Sequence, residues 1–231
     1  MDSKKAKNTF KKVWHFIWED NSIWSWIVNI ILAFVIIKFI VYPGLGFALQ
    51  TSHPIVAVVS GSMEHKLVHP CKIMDASNPA QCLSYNKDSY EICGKTFSSK
   101  QNVDLDFFWN TCGGFYLEFN ITKSSFKSFS FTGGFNKGDI MILYGTRPNK
   151  IQVGDIIVFK GYGNEPVIHR VINARLSDGK YIFQTKGDHN GVSYSFEQSI
   201  PENNYIGRAV ARIPWLGYVK IVAVELFNLL R

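Results

Sequence analysis

Residues 137–161 read KGDIMILYGTRPNKIQVGDIIVFKG and carry one pattern twice, at Gly138-Asp139 and at Gly154-Asp155, sixteen residues apart. Each is a Gly-Asp turn feeding a short, largely β-branched apolar run, and a second glycine (Gly145, Gly161) closes it. Turn chemistry bracketing runs of this length predicts strands. Further strands are expected at 167–174 and 180–186, with Asp178-Gly179 as the hairpin turn between them, and at 206–213. Upstream, Ile55, Val56, Ala57, Val58 and Val59 form a continuous run that reads as a buried strand. Many short strands at close spacing predict a mainly β fold, an antiparallel barrel or sandwich and not a parallel α/β sheet.

Charged residues make up 19% of the 231-residue chain and aromatics 15%, a balance that excludes disorder. The net charge of +7 suggests nucleic acid, but its distribution does not. Lys4, Lys5, Lys7, Lys11 and Lys12 crowd the first twelve residues, and no basic helix or aromatic RNA-binding signature follows. Residues 22–42, SIWSWIVNIILAFVIIKFIVY, are long enough to cross a bilayer, with Trp24, Trp26 and Tyr42 at the edges and Lys38 placed to snorkel. The lysines ahead of this segment predict a cytoplasmic tail over 1–20 and an extracytoplasmic remainder, single-pass in the cell membrane. The apolar core is too long for a cleaved signal peptide, and no Ala-x-Ala pattern precedes His53, so a retained anchor is expected. Pro43-Gly44-Leu45-Gly46 is expected to break the helix where it leaves the membrane.

Cys71, Cys82, Cys93 and Cys112 all fall between 65 and 136, with no Cys-x-x-Cys pair, which predicts two disulfides in an oxidising compartment. Four cysteines allow three pairings, and spacing does not choose among them. This segment, rich in Ser, Asn and Lys, reads as an inserted subdomain stapled because it has little core of its own. Residues 126–131 alternate loosely, as an exposed hairpin does, and Asn120-Ile121-Thr122 matches an N-glycosylation acceptor. The β-rich domain is expected over 43–64 and 137–213. The apolar stretch 214–231 carries Lys220 and Glu225 and suits a membrane interface better than a second span.

Candidate chemistry centres on Ser60-Gly61-Ser62-Met63-Glu64, a turn directly after the strand at 55–59. A serine becomes a nucleophile only when a base reaches it. His169, in Val167-Ile168-His169-Arg170-Val171-Ile172, is the candidate, and strand periodicity puts His169 on one face and Arg170 on the other. The hairpin turn at 178–179 is expected to carry Asp188 towards His169, where a carboxylate would fix the imidazole tautomer. His65 and His69 are four apart, but Pro70 directly after them and the turn context predict a solvated loop in place of a metal pair. His189 is expected to be an exposed turn residue, and Asp139 and Asp155 turn-formers that accept backbone N–H groups.

The strings SGSME, GDIIVFKG, VIHRVI, TKGDHN and IGRAVARIPWLGYV, in this order behind an anchor, resemble type I signal peptidases of the archaeal and endoplasmic-reticulum branch. Bacterial relatives carry a lysine base where this chain has His169. The resemblance spans the anchor, 55–64 and most of 137–220, but leaves the cysteine-bearing insert unexplained. It implies a membrane-anchored serine endopeptidase with Ser62 as nucleophile, His169 as general base and Asp188 as orienter. Ser60 and Ser62 would form the oxyanion hole, and 55–59 the substrate-binding strand. The implied substrates are preproteins bearing signal peptides. Membrane lipid and secretion machinery are the other implied partners, and no metal, cofactor or nucleic acid is called for. Two positions depart from the family: His65 stands where a proline is usual, and Tyr194 where relatives carry a second aspartate, the nearest acid beyond it being Glu197. Either Asp188 alone orients His169, or Glu197 substitutes, or activity is impaired, the first being the favoured reading. Two alternatives stand beside this reading, a narrow-specificity peptidase of the same fold that processes surface proteins and a decayed, non-catalytic ectodomain.

Overall fold

A computed structural model describes residues 3–74, 82–161, 163 and 165–218. The chain divides after Leu49 into two units. In the first, α1 (Ser3–Trp18) turns into α2 (Ile23–Ile36), whose start is capped by the Ser22 hydroxyl accepting from Ser25 N–H. A π-helical stretch, Ile37–Val41, joins α2 to α3 (Tyr42–Ala48), so one apolar helix runs over Ile23–Ala48. At 26 residues it is long and apolar enough to cross a membrane. The expected break at Pro43-Gly44 does not occur. A proline within a helix lacks its N–H and crowds the carbonyl one turn earlier, and the wider π turn immediately upstream relieves that crowding. Proline then sits in the first turn of α3, where a missing N–H is tolerated.

The second unit is built on a seven-stranded antiparallel sheet, in the order β1-β6-β11-β7-β8-β9-β10. The strands are β1 (Ile55–Ala57), β6 (Ile140–Tyr144), β7 (Ile156–Lys160), β8 (Pro166–Ser177), β9 (Lys180–Lys186), β10 (Ile200–Pro201) and β11 (Tyr205–Ile213). The paired Gly-Asp signals open β6 and β7: Gly138 and Gly154 take φ of 89° and 96°, which side chains resist. The aspartates after them do cap the turns, Asp139 accepting from Asn136 N–H (2.8 Å) and Asp155 from Gln152 N–H (2.9 Å). Asp178 and Gly179, both at positive φ, form the turn that pairs Ser177 with Lys180 across β8 and β9. Central β7 is buried on both faces through Phe159, whereas among the described residues β1 pairs only with β6 and lies at the sheet edge.

The insert between Glu64 and Lys137 holds two hairpins, β2–β3 (Cys71–Met74, Cys82–Tyr85) and β4–β5 (Tyr90–Ile92, Lys95–Phe97), then helices α4 (Leu105–Leu117) and α5 (Lys123–Lys127). Cys71 is bonded to Cys82 and Cys93 to Cys112. Contrary to expectation, the insert has a core: Ile92, Phe108, Tyr116 and Phe126 are fully buried, with Leu67 and Ile121 beside them, and Ile172 of β8 joins the cluster. The expected hairpin at 126–131 is instead α5 and its exit. The Thr122 and Ser125 hydroxyls box its N-terminus, and Phe126 turns inward. Asp104 caps α4 by accepting from Phe107 N–H at 2.8 Å. Of the apolar C-terminal stretch 214–231, residues 219–231 lie outside the described residues. In the part that is described, Trp215 and Leu216 are exposed.

Candidate active site

Ser62 sits in the turn that leaves β1, and three neighbours hold that turn. Met63, 1% exposed, plugs into the sheet core beside Val58. Its carbonyl accepts from Phe135 N–H (3.1 Å), and the Ser62 carbonyl accepts from His189 N–H (2.9 Å). Buried Glu64 accepts from Lys137 N–H at 2.9 Å and pairs with Lys66. The serine is thus clamped between the insert and the loop after β9.

His169 lies on β8 opposite Ile157 of β7, and its ring is almost entirely buried. Its Nε2 is 2.8 Å from Ser62 Oγ, and the Ser60 hydroxyl lies 3.1 Å from the same oxygen. The other ring nitrogen, Nδ1, hydrogen-bonds Glu197 Oε1. Glu197 ends a short 3₁₀ turn (Ser195–Glu197) between β9 and β10 and is fully buried. Thr185 Oγ1 also donates to Oε1 (3.1 Å), and Tyr194 N–H donates to Oε2 (3.1 Å). A carboxylate held by these donors keeps the proton of His169 on Nδ1. That leaves Nε2 to accept from the serine hydroxyl.

Asp188, expected behind His169, is elsewhere. Register pairs Arg170 with Lys186, and adjacent residues of a strand point to opposite faces, so His169 and Arg170 open on different sides of the sheet. Asp188 belongs to the Arg170 side. Arg170 Nε and Nη2 grip its two oxygens at 2.9 and 2.7 Å, Tyr116 O–H donates to Oδ1 (2.8 Å), and His65 Nε2 lies 3.0 Å from Oδ2. The remaining Arg170 donors reach the carbonyls of Ser130, Gly154 and Phe131, which satisfies the whole guanidinium with no exposure. Burial alone would push the Asp188 carboxyl upward, but the Arg170 charge and the bonds from His65 and Arg170 hold it far below the usual range. Burial raises the Tyr116 hydroxyl, and the Asp188 charge raises it further.

The histidines outside the pair also differ from expectation. The His65 side chain is buried, stacked 3.8 Å from Phe108, and bound to Asp188, while His69 bonds the Ser89 carbonyl and stacks on Tyr90. They serve different neighbours. His189 is half-buried with Nδ1 on the Glu64 carbonyl (3.0 Å), and burial lowers its pKa. Sequence reasoning also missed Lys186. It is fully buried, donates to the carbonyls of Gly187 (3.0 Å) and Asp188 (3.3 Å), and lies against the rings of Phe115 and Tyr116. Burial lowers its pKa to about 8. Its position at the end of a predicted strand gave no sign of this, because the walls that bury it come from α4.

Beside the site, β1 offers an open edge. Val58 N–H donates to the Asp139 carbonyl, and Leu143 N–H to the Pro54 carbonyl. Backbone groups alternate along a strand, so those of Ile55, Ala57 and Val59 face away from β6. Side chains alternate too: Val56 and Val58 pack into the sheet core, and Val59 is 63% exposed.

No family model matches the chain. Among curated proteins it is similar to the signal peptidase complex catalytic subunit SEC11 of the yeast Scheffersomyces stipitis, 36% identical over 98 residues, which are 39% of this chain and 58% of that protein. The human signal peptidase complex catalytic subunit SEC11C is 37% identical over 95 residues, 38% of this chain and 50% of its own length. The Candida tropicalis SEC11 subunit is 34% identical over 98 residues. The chain therefore spans between 50% and 58% of the length of these two curated relatives.

Proposed function

Starting from this similarity to signal peptidase catalytic subunits, we propose that the chain is a membrane-anchored serine endopeptidase that cleaves signal peptides from exported preproteins. The observation that carries the reading is the hydrogen-bonded line from Ser62 through His169 to Glu197, set beside the open edge of β1. The substrate lies extended along β1 and bonds the outward backbone groups of Ile55, Ala57 and Val59, adding a strand to the sheet. Ser62 Oγ attacks the scissile carbonyl while its proton passes to His169 Nε2, and Glu197 stabilises the imidazolium that forms. The developing oxyanion is met by the Ser62 N–H and the Ser60 hydroxyl, each such donor contributing about 3 kcal/mol of barrier lowering. His169 then protonates the leaving amine, which is the new N-terminus of the exported protein, and water hydrolyses the acyl-enzyme. Shallow pockets along the strand would take small side chains ahead of the cleaved bond.

The lysine-rich start of the chain favours a cytoplasmic N-terminus, which puts the second unit on the far side of the membrane. Two disulfides suit that oxidising side. The helix of Ile23–Ala48, about 39 Å long at 1.5 Å per residue, exceeds a hydrocarbon core of about 30 Å and is the anchor. Substrates are preproteins tethered in the same bilayer, and secretion machinery supplies the partners. The test is cleavage of a preprotein by the purified full chain in lipid vesicles, compared with Ser62→Ala and His169→Ala. Both variants are expected to yield no product above background. Cleavage at the parent's rate by either one would remove that residue from the mechanism.

A further inference from the structure

The turn after β9 brings a third polar side chain to the Ser62–His169 pair. Asn190 N–H bonds back to the Gly187 carbonyl (2.9 Å), which folds residue 190 over Gly187. A β-carbon added at Gly187 would lie 2.6 Å from Asn190 Nδ2, 2.8 Å from His169 Nε2 and 2.8 Å from the Ser62 carbonyl oxygen. Three polar atoms thus pack closely around Gly187, where any side chain would collide with them, and the Asn190 amide is brought beside His169 Nε2 and the Ser62 carbonyl. Among the described residues the Asn190 carboxamide has no hydrogen-bond partner, although it is half-buried. The amide is not among the side-chain atoms sealed from solvent, so its N–H is available to a water molecule.

The three atoms make a complementary set. Nδ2 is a donor. His169 Nε2 is an acceptor once the leaving amine has taken its proton. The Ser62 carbonyl has already accepted from His189 N–H and has a second lone pair free. A water molecule asks for two acceptors and a donor of this kind, and keeps one lone pair for attack. Asn190 also lines a cavity of about 140 Å³, walled by Lys186, Thr111, Phe115 and the Cys93–Cys112 disulfide. That is room for more than one water.

We propose that Asn190 Nδ2 holds the water that hydrolyses the acyl-enzyme. The inference rests on the peptidase reading above. In the step, one water proton passes to His169 Nε2 and the water oxygen bonds to the acyl carbon. The Ser62 Oγ–C bond then breaks, and Ser62 Oγ recovers a proton from His169. Asn190 lends a hydrogen bond throughout and exchanges no proton.

The test is pre-steady-state turnover of a peptide ester by the full chain, because with an ester deacylation limits the rate. Asn190→Ala is expected to keep a burst of one product per enzyme and to lose about 10- to 100-fold in steady-state rate. Acyl-enzyme should then accumulate on Ser62, visible as intact mass. Asn190→Asp, which keeps the shape and removes the donor, should behave alike. Hydroxylamine, a stronger nucleophile that needs no such help, should restore turnover in Asn190→Ala. Unchanged steady-state turnover in either variant overturns the inference, as does a burst and turnover that fall together without hydroxylamine rescue. A parent chain that shows no burst, and matches Ser62→Ala, overturns the peptidase reading itself.

Discussion

Asp188 and Glu197 are both fully buried, nine residues apart, and their neighbours set them to different tasks. Glu197 touches His169, while Asp188 neutralises Arg170 and ties it to Tyr116 and His65. Glu197→Gln should therefore lower preprotein cleavage by about 10²- to 10⁴-fold with little change in melting temperature. Asp188→Asn should act first on the fold, costing about 3–5 kcal/mol in denaturant titration, because it leaves a buried guanidinium half unpaired. The reverse pattern would exchange the two roles. Lys186 makes a second residue-level test. Its pKa is near 8 in the folded chain against 10.5 for a free lysine, so between those pH values the unfolded chain keeps a proton that the folded one has released. Stability from this site must then rise with pH across that window. Tyr205, raised to about 12 by burial, and Tyr116 oppose the rise only above their ordinary value of 10. Urea titrations from pH 8 to 10 should show the slope in the parent and a flatter profile in Lys186→Met. Ser62 and His169 were legible as a pair from their strands and order. The acid beside His169 was legible only as the less favoured alternative, Glu197, because Asp188 lies past the end of β9, where strand alternation no longer says which face a side chain takes.

At the scale of elements, β1 is short and has only one partner strand. The backbone N–H of Ala57 faces the open side, so proline there removes no ladder bond of the sheet and is tolerated as edge prolines are. Ala57→Pro should keep the melting temperature within a few degrees and raise KM for a preprotein several-fold, with kcat less affected. Equal kinetics for parent and variant would argue against a substrate strand on this edge. The strands themselves could be read from the Gly-Asp turns and β-branched runs, since local chemistry specifies them. Helix α4 could not. Its run LDFFWNTCGGFYL is crowded with aromatics and has two adjacent glycines, all poor helix formers. It is helical because Asp104 caps it, Phe108, Cys112 and Tyr116 share the buried face, and Cys112 is bonded to Cys93. Tertiary packing overrides propensity there.

For the molecule as a whole, the insert packs against the sheet of the second unit and is not an appendage. Its aromatic core meets the sheet at Ile172, and the Arg170 guanidinium lies 4.9 Å from the Phe126 ring. The sheet depends equally on β11, which alone joins the β1–β6 pair, next to Ser62, to the β7–β10 group that carries His169. Ala209→Pro, a proline in the middle of that central strand, should abolish cleavage. Cys93 and Cys112 should still resist thiol labelling, because they are paired by contacts that do not pass through β11. Labelling of these cysteines in the variant would mean that insert and sheet fold as one cooperative body. The central strand is also the last of the sheet in chain order. As the polypeptide is made, Ser62 appears 107 residues before His169, and the two halves of the sheet stay unjoined until β11 pairs with both. On the peptidase reading proposed above, a chain stopped short of β11 is expected to hold Ser62 and His169 on unjoined halves of the sheet and so to be inactive.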